Sequence, residues 1–244
     1  MAGVAVVIPT LNEEDAIGFV LAEIPAAVAT QVIIADSGSA DGTVQIARVA
    51  GASVIVLAER GYGRACAAGA QAADAKCDII VFMDGDGADR ADLMAMLVEP
   101  VQAGTADFVI AARPGRLREA GAMSWHQVVA GRVFGLGIRL VTGVRYTDMC
   151  AFRAIRRGAL EALNMREMTY GWNIEMQMKA AKAGLRILEI PLPYRRRVGG
   201  ESKVAGSLQG TLRAAARIVA AFLRVSVSKD VSTSFFEQKE AKKL

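Results

Sequence analysis

Between residues 4 and 112, short apolar runs alternate with polar or glycine-bearing loops and with segments of helical spacing. The runs are Val4–Ile8, Gln31–Ala35, Ser53–Leu57, Ile79–Met83 and Phe108–Ala112. Strand, loop and helix repeated in this order argue for parallel βαβ units sharing one sheet. Ligands of such an open sheet collect in the crevice beyond the carboxyl ends of its strands. The chemistry-bearing residues of this half all fall just past such an end: Pro9 to Glu13, Asp36, Arg60 to Arg64, and Asp84 with Asp86. Four coincidences on one edge argue for a site rather than for four unrelated turns.

The fourth run matters most. Ile79-Ile80-Val81-Phe82-Met83 reads as a strand buried on both faces and stops at Asp84-Gly85-Asp86. Two carboxylates at a crevice mouth suit a hard divalent cation that also holds a diphosphate. Taken alone, Asp84-Gly85-Asp86-Gly87 also reads as a turn, so the context decides. Thr10 or Asn12 is expected to cap the first helix, with Glu13 and Glu14 in its first turn. Arg60-Gly61-Tyr62-Gly63-Arg64 reads as a loop ahead of an Ala-rich helix.

Beyond Arg113 the alternation lapses. A basic loop leads to an apolar, glycine-punctuated helix over about Trp125–Val141, and Tyr146 to Arg153 reads as turn into strand. Short helices over about Arg157–Leu163 and Trp172–Ala183 follow, then a strand over Arg186–Ile190. From about Gly206 a two-faced helix runs with Leu208, Leu212, Ala215, Val219, Phe222 and Leu223 on one side and Arg213, Arg217 and Arg224 on the other. Such a helix can lie in a bilayer interface or dock on its own domain. Residues 229–244 read as a mobile polar tail.

Composition narrows the function. The single histidine, His126, sets aside a histidine-based zinc site, so carboxylates would hold any metal. Three unevenly spaced cysteines (Cys66, Cys77 and Cys150) fit reduced packing residues of a cytoplasmic protein. No apolar run is long enough to span a bilayer, and no leader is expected at the first residues. The mean hydropathy of +0.30 still hints at contact with something greasy. Basic residues crowd 113–118, 195–203 and one face of the last helix, which implies an anionic partner. They lack the interleaved aromatics of nucleic-acid binding.

These motifs together resemble family 2 glycosyltransferases of the GT-A fold, and among them the polyprenyl-phosphate sugar synthases such as dolichyl-phosphate mannosyltransferase. Val7 to Glu14 resembles the family's opening strand and nucleotide loop, and Asp36 to Thr43 its Asp-Asp-Gly-Ser-x-Asp-Gly-Thr element. Met83-Asp84-Gly85-Asp86 resembles the metal motif, and Tyr146-Thr147-Asp148 with Phe152-Arg153 the Thr-Asp…Gly-Phe-Arg segment. Arg197 with Gly200-Glu201-Ser202-Lys203 resembles the Arg-x-x-Gly-Glu-Ser-Lys loop of the polyprenyl-phosphate branch. The likeness covers roughly residues 4–205 and departs at Ser37 (an Asp in the family), at Gly87-Ala88-Asp89 (often Leu-Gln) and at Ala151 (usually Gly).

The resemblance implies a mostly parallel α/β sheet flanked by helices, in one domain of residues 1–205. Residues 1–112 would hold the nucleotide sugar and 113–205 the acceptor, with 206–228 as a C-terminal amphipathic helix. It implies an inverting, metal-dependent transfer from a UDP- or GDP-linked sugar to a polyprenyl phosphate, at the cytoplasmic face of the membrane and with peripheral membrane contact. Mg²⁺ or Mn²⁺ would be held by Asp86, Asp84 and, in place of the missing Gln, Asp89. Pro9, Thr10, Asn12, Glu13, Asp36, Gly63, Arg64, Gly85 and Arg113 would contact the donor, and Asp41 would brace its loop. Arg153, Arg197, Ser202 and Lys203 would clamp the acceptor phosphate, because such a dianion needs cations rather than a base. Asp148 would orient Arg153, or act as base if the acceptor is a hydroxyl. A hydroxyl acceptor (small molecule, lipid or glycan) is one alternative, and a non-catalytic nucleotide- or lipid-binding module is the other.

Overall fold

A computed structural model describes residues 2–199 and 208–228, with side chains for 2–199 and 214–228. Gly200-Glu201-Ser202-Lys203 and the tail 229–244 lie outside the described residues. The first half follows the expected alternation: β1 (Gly3–Thr10), α1 (Glu14–Glu23), β2 (Gln31–Asp36), α2 (Thr43–Val49), β3 (Ser53–Val56), α3 (Tyr62–Gln71), β4 (Cys77–Phe82), α4 (Met94–Gln102) and β5 (Phe108–Ala112). The second half adds α5 (Trp125–Thr142), β6 (Arg153–Arg156), α6 (Arg157–Ala162), α7 (Trp172–Lys182), β7 (Ile187–Pro191) and α8 (Leu208–Val227).

Seven strands form one sheet in the order β3-β2-β1-β4-β6-β5-β7. All neighbours are parallel except at β6, which runs antiparallel between β4 and β5. The order reverses between β1 and β4, the topological switch point where an open sheet parts its loops and leaves a crevice. Helices cover both faces, so β1 and β4 are apolar almost throughout and their central residues fully buried.

Pro9 does not end β1. It pairs with Ala35 of β2, beyond the last pairing of β1 to β4 at Val7 and Phe82. Its missing N–H therefore falls where one side of the ladder has already stopped. The antiparallel β6 was not expected, and it has a consequence. It brings its entry, not its exit, to the same edge as the carboxyl ends of the other strands.

The C-terminal helix docks on the domain. Ala214, Ala221 and Val225 are buried, Phe222 packs on Phe134 of α5 at 6.1 Å between ring centres, and Arg224 pairs with Glu167 at 2.8 Å. Lys182 donates to the carbonyls of Val225, Ser226 and Ser228, closing the helix's last turn. The buried stripe is thus rotated from the expected one, and Val219 and Leu223 face outward. Small residues decide the rotation, since Ala221 sits where a Cβ on Gly171 would come within 2.6 Å.

Gly69 brings α3 close against the sheet, where an added Cβ would lie 2.3 Å from Cγ1 of the fully buried Val7. Gly69→Val should therefore destabilise the protein by about 1–3 kcal/mol through overpacking. Urea denaturation checks this, and an unchanged midpoint would show that the contact can relax.

Candidate active site

The loops after β1 and β2 form one interlocked unit. Asn12 takes a left-handed backbone (φ 51°), which asparagine tolerates better than most residues. Its amide donates to Ser39 Oγ (2.8 Å), and its side-chain oxygen accepts from the Ala40 amide (2.9 Å). Asp36 is buried and accepts from the Gly38 and Ser39 amides and from the hydroxyls of Thr10 and Ser39. Asp41 accepts from the amide and hydroxyl of Thr43 and from the Glu14 amide, so it ties the second loop to the first. The residue preceding α1 is Glu13 rather than Thr10 or Asn12, and its own side chain makes no capping bond. The Thr10 and Asn12 side chains are directed at the second loop instead.

Three carboxylates converge beyond β4. Asp84 accepts from the Tyr62 hydroxyl (3.3 Å), and its amide donates to Asp89 Oδ2 (3.3 Å). Asp86 accepts from the Ala88 amide (2.9 Å) through Oδ1 and lies 3.4 Å from Arg197 Nη1 through Oδ2. Burial, together with the neighbouring acidic groups, pushes the carboxyls of Asp84 and Asp89 well above the ordinary range. Gathered like charges of this kind call for a cation, and oxygen donors fit a hard divalent ion. Among the described residues no three acidic, histidine or cysteine side chains form a ready cage. Asp89 is occupied by the Asp84 amide and the Cys150 thiol. Of the three, Asp84 and Asp86 are the pair that could hold a divalent metal, with further ligands from elsewhere.

A strap closes over this loop. The Val198 amide donates to the Asp86 carbonyl (2.9 Å) and the Arg195 amide to that of Ala88 (3.2 Å). Arg195 also pairs with Glu23 and donates to the Gly87 carbonyl (2.6 Å). Arg197 bridges Glu13 (3.0 Å) and Asp86, so it stands beside the carboxylates. Arg195 and Arg197 are therefore not a solvated basic run; of the three arginines only Arg196 is exposed.

Several expected contacts are redirected. Gly63 and Arg64 belong to the first turn of α3, and their amides donate to the carbonyls of Thr169 and Met168. A Cβ at Gly63 would meet the Glu167 carbonyl oxygen at 2.3 Å, so close backbone approach explains this glycine. Arg64 turns outward to Glu59 (2.7 Å). Arg153 is fully buried at the entry of β6 and donates to the carbonyls of Cys150, Ala151 and Asn173. Burial lowers its pKa, and its guanidinium is not presented to a phosphate.

Asp148 orients Arg113 instead of Arg153. Nε and Nη2 of Arg113 each lie 2.7 Å from its oxygens, and the Arg113 amide adds a third bond. Burial opposes the Asp148 charge, but the Arg113 contacts outweigh it and hold the carboxyl below its usual range. A carboxylate so engaged is a poor proton acceptor. Glu175, buried beside Lys179 (3.0 Å), accepts the Arg166 and Glu167 amides and pins the loop before α7.

Two cavities flank α5. One of about 330 Å³ is lined by Arg113, Arg118, Gln127, Arg132, Thr147 and Asp148 among others. The other, about 420 Å³, lies beside Arg132, Arg139, Arg145 and Thr147. Arg132, Arg139 and Arg145 were not singled out from the sequence, because isolated arginines carry no motif; Arg118 belongs to the basic crowd at 113–118. Tyr62 was hidden in an expected loop; its place in a helix aimed at Asp84 was the missing signal.

The switch-point crevice gathers acids at the end of β4 beneath basic side chains, at the place where open α/β sheets take their ligands. Residues 5–163 match the model of glycosyl transferase family 2, and the chain belongs to that family. It is 37% identical over 216 residues to an uncharacterized glycosyltransferase of Mycobacterium tuberculosis, covering 87% of this chain and 95% of that one. It is 32% identical to an undecaprenyl-phosphate mannosyltransferase of Micrococcus luteus (85% and 89% covered). A polyprenol monophosphomannose synthase of Mycolicibacterium smegmatis is 28% identical (83% and 81% covered). Among solved structures, glucosyl-3-phosphoglycerate synthase of M. tuberculosis with Mn²⁺, UDP-glucose and phosphoglyceric acid superposes with a TM-score of 0.72 at 22% identity. That match covers 92% of this chain and 80% of the other, and it supports the GT-A fold.

The Arg113–Asp148 pair generates a prediction. Asp148→Asn should cost about 1.5–3 kcal/mol at neutral pH, the range for a hydrogen bond to a charged group. Because the native pKa is depressed, the stabilisation is present above the unfolded value of about 4 and fades as pH falls through the native one. Thermal melts at stepped pH should therefore show the two proteins converging in acid; a constant gap would deny the pair its electrostatic character.

Proposed function

We propose that the chain transfers one sugar, with inversion, from a UDP- or GDP-linked donor to a polyprenyl phosphate. Residues 1–112 would serve the donor and 113–205 the acceptor. The observation that carries the reading is the acidic cluster at the end of β4 set beside a basic cavity along α5. The named relatives that act on polyprenyl phosphates support the same acceptor class.

In this reading the loops after β1 and β2 receive the nucleoside, with Asp36 and Thr10 at its base. Asp86 and Asp84 would hold Mg²⁺ or Mn²⁺, which supplies Lewis-acid stabilisation of the departing diphosphate. Tyr62 orients Asp84, and Asp89 holds the loop in shape. Arg197 leaves Asp86 for a phosphate oxygen once a donor enters, because its fork suits either partner. Ser202 and Lys203, outside the described residues, would contact the acceptor phosphate. The acceptor is a phosphate largely dianionic near neutral pH, so no side chain has to remove a proton. That fits the engagement of Asp148 with Arg113. Arg118 and Arg132 receive the acceptor phosphate in place of the inward-turned Arg153.

A hydroxyl acceptor such as phosphoglycerate is the reading to test against, as one appears with the structural neighbour. Labelled UDP- and GDP-sugars offered with polyprenyl phosphate, polyprenol and 3-phosphoglycerate should give product with the phosphate alone. Product only from an alcohol would overturn the assignment, and binding without any transfer would support the non-catalytic module. Asp86→Ala should lower metal-dependent turnover by about 10²-fold or more while leaving the melting curve cooperative. Full activity of that variant would remove the metal assignment. Arg118→Ala should raise the KM for acceptor about tenfold, as loss of one charged contact implies, and leave that for donor unchanged. A donor effect would move the cavity to the other substrate.

A further inference from the structure

Strand β7 is apolar except at one place, the carboxylate of Ile187-Leu188-Glu189-Ile190-Pro191. Glu189 is half-buried, and among the described residues no lysine or arginine pairs with it. Burial pushes its carboxyl above the ordinary range, and the nearby Asp148 adds in the same direction. A carboxylate kept on a sheet strand without a cation costs stability, so its contacts have to explain it.

What it holds is main chain. The Thr147 amide donates to both Glu189 oxygens (2.9 and 3.0 Å), and the Asp148 amide donates to Oε1 (3.4 Å). From the other side the fully buried Gln177 of α7 donates through Nε2 to the Asp148 carbonyl (2.8 Å). Its Oε1 finds no partner among the described residues, so that single bond orients the side-chain amide. Asp148 is thereby gripped by its amide and its carbonyl at once. Its carboxylate is filled as well. Oδ2 takes the Arg113 amide and Nε, and Oδ1 takes Arg113 Nη2 and the Met149 amide. Arg113 keeps Nη1 without a described partner, and its guanidinium sits 4.8 Å over the Tyr194 ring. It lines the 330 Å³ cavity and offsets the charge of Asp84 and Asp89.

We infer that Glu189 is a positioning residue for sugar transfer. From β7 it fixes the main chain at 147 and 148, so that Asp148 holds Arg113 at the cavity wall with Nη1 to spare for a substrate phosphate. Gln177 is the second hold, and neither residue needs to touch a substrate. The inference rests on the proposed transfer, because aiming a guanidinium matters only if a phosphate comes to it. A displacement of about an ångström is enough to forfeit much of such a group's effect on a transition state.

Two measurements on the full chain test this. In protein labelled with nitrogen-15 arginine, the Arg113 Nε–H resonance is assigned by its absence in Arg113→Lys. It should exchange with water at least tenfold faster in Glu189→Ala. The Arg186 resonance should stay unchanged, since Arg186 holds Asp107 in a like geometry just before the same strand. With labelled nucleotide sugar and polyprenyl phosphate, Glu189→Ala should lower kcat about tenfold and leave both KM values within about twofold. Glu189→Gln keeps one acceptor oxygen and should retain most of the rate. In an Arg113→Ala background, Glu189→Ala should cost less than about twofold more, because the two act as one unit. Unchanged Arg113 exchange in Glu189→Ala, or an additive rate loss in the double variant, would overturn the inference. So would a glutamine variant as impaired as the alanine one. If Glu189→Ala also loses the Arg186 signal, Gln177→Leu decides in its place: it should speed Arg113 exchange, and an unchanged signal would contradict the inference. A wild type that transfers no sugar, with Arg113 still freed in Glu189→Ala, would overturn the transfer reading and leave the hold on Arg113 standing.

Discussion

Three acidic side chains crowd a few residues beyond β4, and most of the site is arranged to tolerate their mutual repulsion. Burial alone would make such a cluster costly, because desolvation disfavours every charge in it. The structure answers with an arginine strap from the far end of the chain. Arg197 reaches Asp86 and Glu13, while Arg195 fastens the same loop through Glu23 and the Gly87 carbonyl. Nothing nearby in sequence could do this. The sheet order has to bring the segment after β7 back across β4 and β1.

The same constraint explains why the second half departs from the first. A further parallel strand beside β4 would have sent the residues before it to the opposite edge. An antiparallel β6 delivers residues 146–152 to the crevice, and with them the carboxylate that holds Arg113. The domain thus builds one rim from loops that leave five strands and one that enters a sixth. The acid-rich side lies over β1 and β4 and the arginine-rich side along α5, a polarity that suits the proposed transfer between two phosphate-bearing substrates.

Much of this was legible in the residues. β4 and its Asp-Gly-Asp stop, the polar loops after β1 and β2, and the docking-or-interface ambiguity of α8 all follow from pattern and turn chemistry. Direction was not legible: a four-residue strand such as Arg153–Arg156 has no periodicity that distinguishes parallel from antiparallel. Arg153 was read as a phosphate clamp from the resemblance and from arginine's fork, yet three main-chain carbonyls satisfy it inside. Gly63 was read as a donor-contacting loop glycine, and the contact that needs it, the Glu167 carbonyl, is far away in sequence.

The central claim is that two carboxylates at the end of β4 hold a divalent ion only together with a nucleoside diphosphate. Titration of Mn²⁺ followed by its electron paramagnetic resonance signal tests this most directly. The account predicts weak binding to the protein alone and at least tenfold tighter binding once UDP or GDP is added. Equal Mn²⁺ affinity with and without nucleotide, or no binding under either condition, would contradict it.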